Sequence, residues 1–121
     1  FEDLYATHII LPDSITIIAN EAFRNNIYLE SINIPNSVYS IGDYAFAGTK
    51  ALKSIVIPTS INNIQNYTFS DSGLENFNFH GGISSIGNAA FRNKNLVDIQ
   101  LNNGDLSSFH KHRQRPELHA L

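Results

Sequence analysis

The chain contains no cysteine. That excludes a disulfide framework, a thiol nucleophile and any zinc site built on thiolates. No apolar run approaches the roughly 20 residues that a membrane-spanning helix needs, so membrane insertion is not expected. Charge is sparse, with 8 Lys and Arg against 11 Asp and Glu and a net charge of −3. Nothing in that balance calls for nucleic acid or an acidic membrane as a partner. Ser-His-Asp spacing, a glycine-rich phosphate loop and paired carboxylates are all missing outside the repeated positions described below. Gly81-Gly82 alone is a turn signal. The chain is therefore not expected to be an enzyme, and no cofactor is implied. It opens at Phe1 without a charged, apolar and small-residue secretion signal, which leads us to expect a mature product or a fragment.

What remains is 121 residues with 42% hydrophobic content, enough for one domain with a modest core. Asparagine is abundant and often paired, as at Asn25-Asn26 and Asn62-Asn63, so many tight corners are expected. The dominant feature is an internal repeat. Pro12, Pro35 and Pro58 lie 23 residues apart, and Phe23, Phe46, Phe69 and Phe91 follow at spacings of 23, 23 and 22. Ile18, Ile41, Ile64 and Ile86 keep the same phase, as do Ile15, Val38, Ile61 and Ile83. Ile9/Leu11 recurs as Ile32/Ile34, Ile55/Ile57, Phe77/Phe79 and Ile99/Leu101, and Leu29, Leu52, Leu74 and Leu96 complete the set.

Each unit contains a short alternating segment such as Leu52–Ile57, with the β-branched character of a strand, ended by a proline that cannot donate to a ladder. Leu29, Ile32 and Ile34 are expected to face inward, with Glu30 and Asn33 outward. One unit cannot bury its apolar face alone; stacked units can, with adjacent strands forming a parallel sheet. The phrase Ile41–Gly48 then has a structural role. Ile41 turns inward from the opposite wall, Gly42 permits a tight bend, Ala45 allows close approach, and Phe46 joins an interior column of phenylalanines. One short helical turn is expected there, capped by Asn20, Asp43, Asn66 or Asn88.

The units are unequal. Six steps separate Phe23 from Leu29 and Phe46 from Leu52, but five separate Phe69 from Leu74 and Phe91 from Leu96, so a loop is placed in that polar stretch. The fifth unit reaches Phe109, after which the pattern stops. Residues 110–121 shift to His and Arg and read as a linker, a terminal cap or an appended segment. His110 and His112 form a weak chelate pair without a fixed third ligand, and His8 and His80 lie in different units, so no metal site is expected. Asn66-Tyr67-Thr68 is a formal glycosylation sequon inside the repeat.

Ile34–Gly48 followed by Leu52–Pro58, IPNSVYSIGDYAFAG and LKSIVIP, resembles the BspA-type, or Treponema pallidum-type, leucine-rich repeat across roughly residues 6–109. The resemblance implies a mainly β fold. It would be a right-handed leucine-rich-repeat solenoid of about five coils of 22–23 residues, starting near 9, 32, 55, 77 and 99. A parallel sheet would form one face and short turns, 3-10 or helical turns the other, with the tail from 110 apart. Members of that family are mostly large bacterial surface or secreted proteins, several implicated in adhesion. A non-catalytic binding module of a cell-surface or secreted protein follows as the expected function, with a structural spacer or an accessory domain fused to an enzyme as alternatives. Family repeats often carry cysteine a few residues after the Phe; here those places hold Asn26, Thr49, Ser72 and Lys94. Lys94 requires an amine that reaches water.

Outward strand positions form the candidate partner surface, because repeat arrays present them as one face. Stacking places Glu30, Lys53, Glu75 and Val97 in one row, with alternating charge among the first three. A second row holds Ser31, Ser54, Asn76 and Asp98, and a third holds Ile10, Asn33, Val56, Asn78 and Gln100. Glu30, Asn33, Lys53, Val56, Glu75, Asn78 and Gln100 are the candidate binding residues, for a protein or a cell-surface glycan. Tyr28, Tyr39, Tyr44 and Tyr67 lie away from the strand, half-packed with outward hydroxyls or contributing to a partner surface. Open ends of such a stack expose apolar edges, so self-association is expected unless Phe1–Tyr5 and the tail cover them.

Overall fold

The computed structural model describes residues 5–79, 83–93 and 98–101, with only the backbone of 78–79 and 98–101 described. Expectations for Phe1–Leu4, His80, the Gly81-Gly82 turn, Lys94, Leu96, Val97, Leu106, Phe109 and the tail from His110 lie outside the described residues, as do those for the side chains of Asn78, Asp98 and Gln100.

The fold is mainly β, and no helix occurs among the described residues. Short parallel strands pair one repeat apart. Strand β1 (His8–Ile10) lies against β3 (Ser31–Asn33), and β6 (Asn76–Phe79) against β8 (Asp98–Leu101). The registers Ile9 to Ile32 and Phe77 to Ile99 are those the repeat phase requires. On a second wall, β2 (Ile17–Ile18) pairs with β4 (Ser40–Ile41), and β5 (Asn63–Ile64) with β7 (Ser85–Ile86).

Among the described residues the expected continuous sheet is thus four two-stranded pieces, and Leu52–Ile57 is not a strand. Leu52, Ile55 and Ile57 do face the core as the alternation predicts. Alternation requires only that side chains meet the interior; a strand also needs backbone partners. Here the Lys53 carbonyl accepts from the N–H groups of Glu75 and Asn76 in the next repeat, but among the described residues no equivalent backbone bond links the second and third repeats on either strand wall. Those two repeats are parted along their strands.

They stay together through the third wall. In the first two repeats the Ala-Phe phrase folds into three successive tight turns. Ala22 bonds back to Ala19, Arg24 to Glu21 and Asn26 to Phe23; Ala45 bonds to Gly42, Ala47 to Tyr44 and Thr49 to Phe46. The third residue of each outer turn is left-handed: Glu21, Tyr44, Tyr67 and Ala89 in the first, Asn25, Gly48 and Asp71 in the last. That is type II turn geometry, and it stops helix propagation where a helical turn was expected. The alternate N–H groups point to the next repeat instead. Glu21, Phe23 and Asn25 donate to the carbonyls of Asp43, Ala45 and Ala47 at 2.8–2.9 Å. Tyr44, Phe46 and Gly48 donate to Asn66, Thr68 and Ser70, and Tyr67, Phe69 and Asp71 to Asn88, Ala90 and Arg92.

The Asn side chains expected to cap a helical turn also bond across repeats. Asn20 Oδ1 accepts from the Asp43 N–H at 2.8 Å, and Asn66 Oδ1 from the Asn88 N–H at 2.7 Å. Gly42 and Gly87 are small because a Cβ there would run into Asn20 and Asn66. Close approach between repeats, rather than a bend, sets their identity. The serine of the repeat ties repeats together as well: Ser37 donates to the Ile15 carbonyl at 2.6 Å and Ser60 to the Val38 carbonyl at 2.5 Å.

The core is a column. Phe23, Phe46, Phe69 and Phe91 are fully buried, with successive ring centroids 5.4, 5.6 and 5.5 Å apart and planes within 15°. Phe77, standing where other repeats have Ile, meets Phe69 and Phe91 edge-on, with centroids 5.4 and 4.7 Å away. Three of the places where the family resemblance implies cysteine, Asn26, Thr49 and Ser72, are buried here. Thr49 bonds the Phe46 carbonyl at 2.6 Å, and Asn93 Nδ2 donates to Ser72 Oγ at 2.9 Å. Asn93, the residue before Lys94, therefore takes the buried place beside Ser72. The shortened connection falls at Gly73, whose N–H reaches the Thr49 carbonyl at 2.9 Å where any side chain would strike the Lys50 carbonyl.

Candidate binding surface

The outward rows sit where the repeat phase places them. Glu30, Asn33, Lys53, Val56 and Glu75 are exposed, while their neighbours Leu29, Ile32, Leu52, Ile55 and Leu74 are buried. Ile10 and Val56 are apolar yet 82% and 83% exposed. Asn33 lies between them in the same row.

Between these residues runs an open groove of about 540 Å³, lined by His8, Ile10, Ser31, Asn33, Ile34 and Val56. It coincides with the parting between the second and third repeats. His8 Nδ1 and Ser31 Oγ are joined at 2.6 Å, fixing one wall across β1 and β3. The charged row is only partly paired. Lys53 and Glu75 meet at 3.8 Å, both about half exposed, and such a pair is worth under about 1 kcal/mol. Glu30 makes no ion pair among the described residues, because the parted strands leave Lys53 drawn toward the fourth repeat.

The tyrosines separate into two groups. Tyr44 and Tyr67 stack face to face at 4.8 Å and 1°, half-buried, with the Arg24 guanidinium 4.6 Å over the Tyr44 ring and paired to Glu21 at 2.9 Å. Their rings are spent on each other. Tyr5 and Tyr28 are exposed and tilted together at 5.4 Å, and Tyr39 is exposed. His8, Ile10 and Ser31 were not among the candidate binding residues. The repeat phase placed Ile10 and Ser31 in outward rows and gave His8 no such place, and no residue type announces that a groove opens beside them.

Among the described residues no group of three or more His, Asp or Glu side chains could hold a metal ion, and no helix is long and apolar enough to cross a membrane.

The chain matches the family model described as BspA type leucine rich repeat region, in six copies over residues 1–112. The chain belongs to the BspA-type leucine-rich repeat family. The copy number exceeds by one the five coils expected from the phase of the inward residues. A crystal structure of a leucine-rich cell surface protein from Faecalibacterium prausnitzii A2-165 is similar, with a TM-score of 0.73 and 22% identity over 91% of this chain. The chain spans 35% of that protein's length. No curated protein matches. At that identity the likeness establishes the fold alone; BspA-type membership comes from the repeat itself.

Proposed function

We propose that this BspA-type array is a non-catalytic binding module that takes a polypeptide partner on its outward strand face. The observation that carries the reading is the groove at the parted strands, where Ile10 and Val56 stand exposed on either side of Asn33. Two bare aliphatic side chains flanking one amide suit an extended peptide better than a glycan. The outward strand rows hold no aromatic face on which a sugar ring could stack. Glu30, Asn33, Lys53, Val56 and Glu75 then form the contact surface, and the same rows continue through Asn78 and Gln100. We further propose that the array is a right-handed solenoid of about five coils through residue 109, the hand that parallel strands joined by a crossover adopt. A cell-surface or secreted setting is supported by the family and by the surface protein from F. prausnitzii.

The test is a panel of immobilised extracellular proteins and glycans probed with the chain and with Ile10→Glu and Val56→Glu. These outward changes should leave the melting temperature within a few degrees and remove binding to a protein member of the panel. Capture that survives both changes, together with Glu30→Ala and Lys53→Ala, would leave a structural spacer as the better reading.

A further inference from the structure

We propose that the peptide taken in the strand-face groove carries an arginine beside its aliphatic side chain, and that Glu30 and Tyr28 hold the guanidinium. The inference rests on the peptide reading above and adds the chemistry of the peptide.

Charge complementarity carries it. Glu30 and Tyr28 flank the buried Leu29, and both stand exposed. Glu30 comes one residue before Ser31, which lines the groove. Its carboxylate meets no cation among the described residues, because Lys53 in the same row goes to Glu75 and Arg24 goes to Glu21. The four residues ahead of Tyr5 contain no Lys, Arg or His. Tyr5 borders the Tyr28 ring on one side at 5.4 Å. In the repeat phase the next residue after Tyr5 and Tyr28 is Ala51, which offers only a methyl group where a third ring would stand.

The chain holds one of its own arginines with the same two groups. The Arg24 guanidinium lies 4.6 Å over the Tyr44 ring and meets the Glu21 carboxylate at 2.9 Å. A guanidinium stacks on a ring through its face while donating in its plane, so a tyrosine beside a carboxylate suits it better than it suits an ammonium.

The groove sets what accompanies the arginine. The row of Ile10, Asn33 and Val56 lies three residues beyond Glu30, about 10 Å along an extended chain. Two residues that point the same way in an extended peptide are about 7 Å apart, and the arginine stem covers the remainder. An aliphatic side chain seated between Ile10 and Val56 therefore brings an arginine two residues away to Glu30. An acidic peptide is repelled at the same place.

The test pans a displayed library of short random peptides against the immobilised full chain and against Val56→Glu. Peptides retained by the chain and lost on Val56→Glu should be enriched in arginine two residues from Ile, Leu or Val. For a synthetic peptide of that set, Glu30→Gln should weaken binding about three- to tenfold, and so should citrulline in place of the arginine. The two changes together should weaken it no more than either alone. Added salt should weaken binding to the chain and leave binding to Glu30→Gln nearly constant. Tyr28→Ala should reduce the preference for arginine over lysine, and Glu30→Arg should move the selection to glutamate at the same peptide position. Val56-dependent peptides without arginine, or with affinity that Glu30→Gln leaves unchanged, overturn this proposal and leave the peptide reading standing. A library that yields no Val56-dependent peptide overturns both.

Discussion

Asn66 Oδ1 accepts a hydrogen bond at 2.7 Å from the backbone N–H of Asn88, one repeat further along the stack. The asparagine of a formal glycosylation sequon is therefore a bracket between repeats. Its sequon partner Thr68 is buried and bonded to the Gln65 carbonyl at 2.9 Å. Asn66→Ala leaves the Asn88 N–H without this acceptor and should cost about 1 kcal/mol. Urea denaturation checks it; an unchanged midpoint would show that the bracket contributes nothing. Attaching a glycan to Asn66 should destabilise in the same direction, read as a lower melting temperature of the glycosylated form.

Gly42 lies so close to Asn20 that a methyl group would overlap its side chain and backbone. Gly42→Ala should therefore destabilise by about 1–3 kcal/mol, although alanine normally favours the folded state relative to glycine. Asn20→Gly in the same chain should restore part of that loss. A double-mutant cycle with no coupling would place the strain elsewhere.

Phe46 has a ring stacked on each face, Phe23 at 5.4 Å and Phe69 at 5.6 Å. Phe46→Ala should cost about 3–5 kcal/mol, and Phe46→Leu clearly less, because leucine refills most of the space. Any effect on binding should follow the loss of folded protein and vanish at temperatures where the variant is folded.

The Tyr44–Tyr67 stack is energetically modest. Coupling between Tyr44→Ala and Tyr67→Ala should be about 0.5–1.5 kcal/mol in thermal or urea denaturation. Tyr44 and Tyr67 both hold left-handed backbone, which a side chain adopts at a cost. Glycine at either position should accordingly lose less stability than the missing ring alone implies.

The parting between the second and third repeats leaves the backbone amides of Ser54 and Val56 without ladder partners among the described residues. Their hydrogen exchange should be faster than that of the amides of β1 and β3 under native conditions. Equal protection would mean that the strand wall closes in solution and that the groove beside Val56 closes with it.

The column of phenylalanines, the inward aliphatic rows and the outward identity of Glu30, Asn33, Lys53 and Val56 were legible because each depends only on phase. A residue repeated every 22 or 23 positions meets its own kind in the next repeat, and apolar residues that do so bury one another. The helical turn was misread for a local reason. D-Y-A-F and N-E-A-F suit a helix by composition, but stacking the repeats draws alternate N–H groups out of their own turn. Left-handed residues at Glu21, Tyr44 and Tyr67 make that possible, and neither Glu nor Tyr advertises such a backbone.

The groove lay further from reach. Ile10 and Val56 belong to a row that was identified, yet in a sequence an exposed isoleucine looks like a core one. What opens the groove is an absence of backbone bonds between two repeats whose sequences both read as strand-forming.

The sequence alone determined that this is a stacked array of BspA-type repeats, which residues line its interior, and that thiol and disulfide chemistry are closed to it. Those follow from periodicity and from residue types that no folding can add. Only the tertiary structure decided how the repeats grip each other: through alternate turn amides, through Asn20 and Asn66, and through Ser37 and Ser60. The same structure decided where that grip is missing among the described residues, along the strands beside Val56. Hydrogen bonds between residues 22 or 23 positions apart depend on tenths of an ångström in packing, and an amino-acid pattern does not carry that distance.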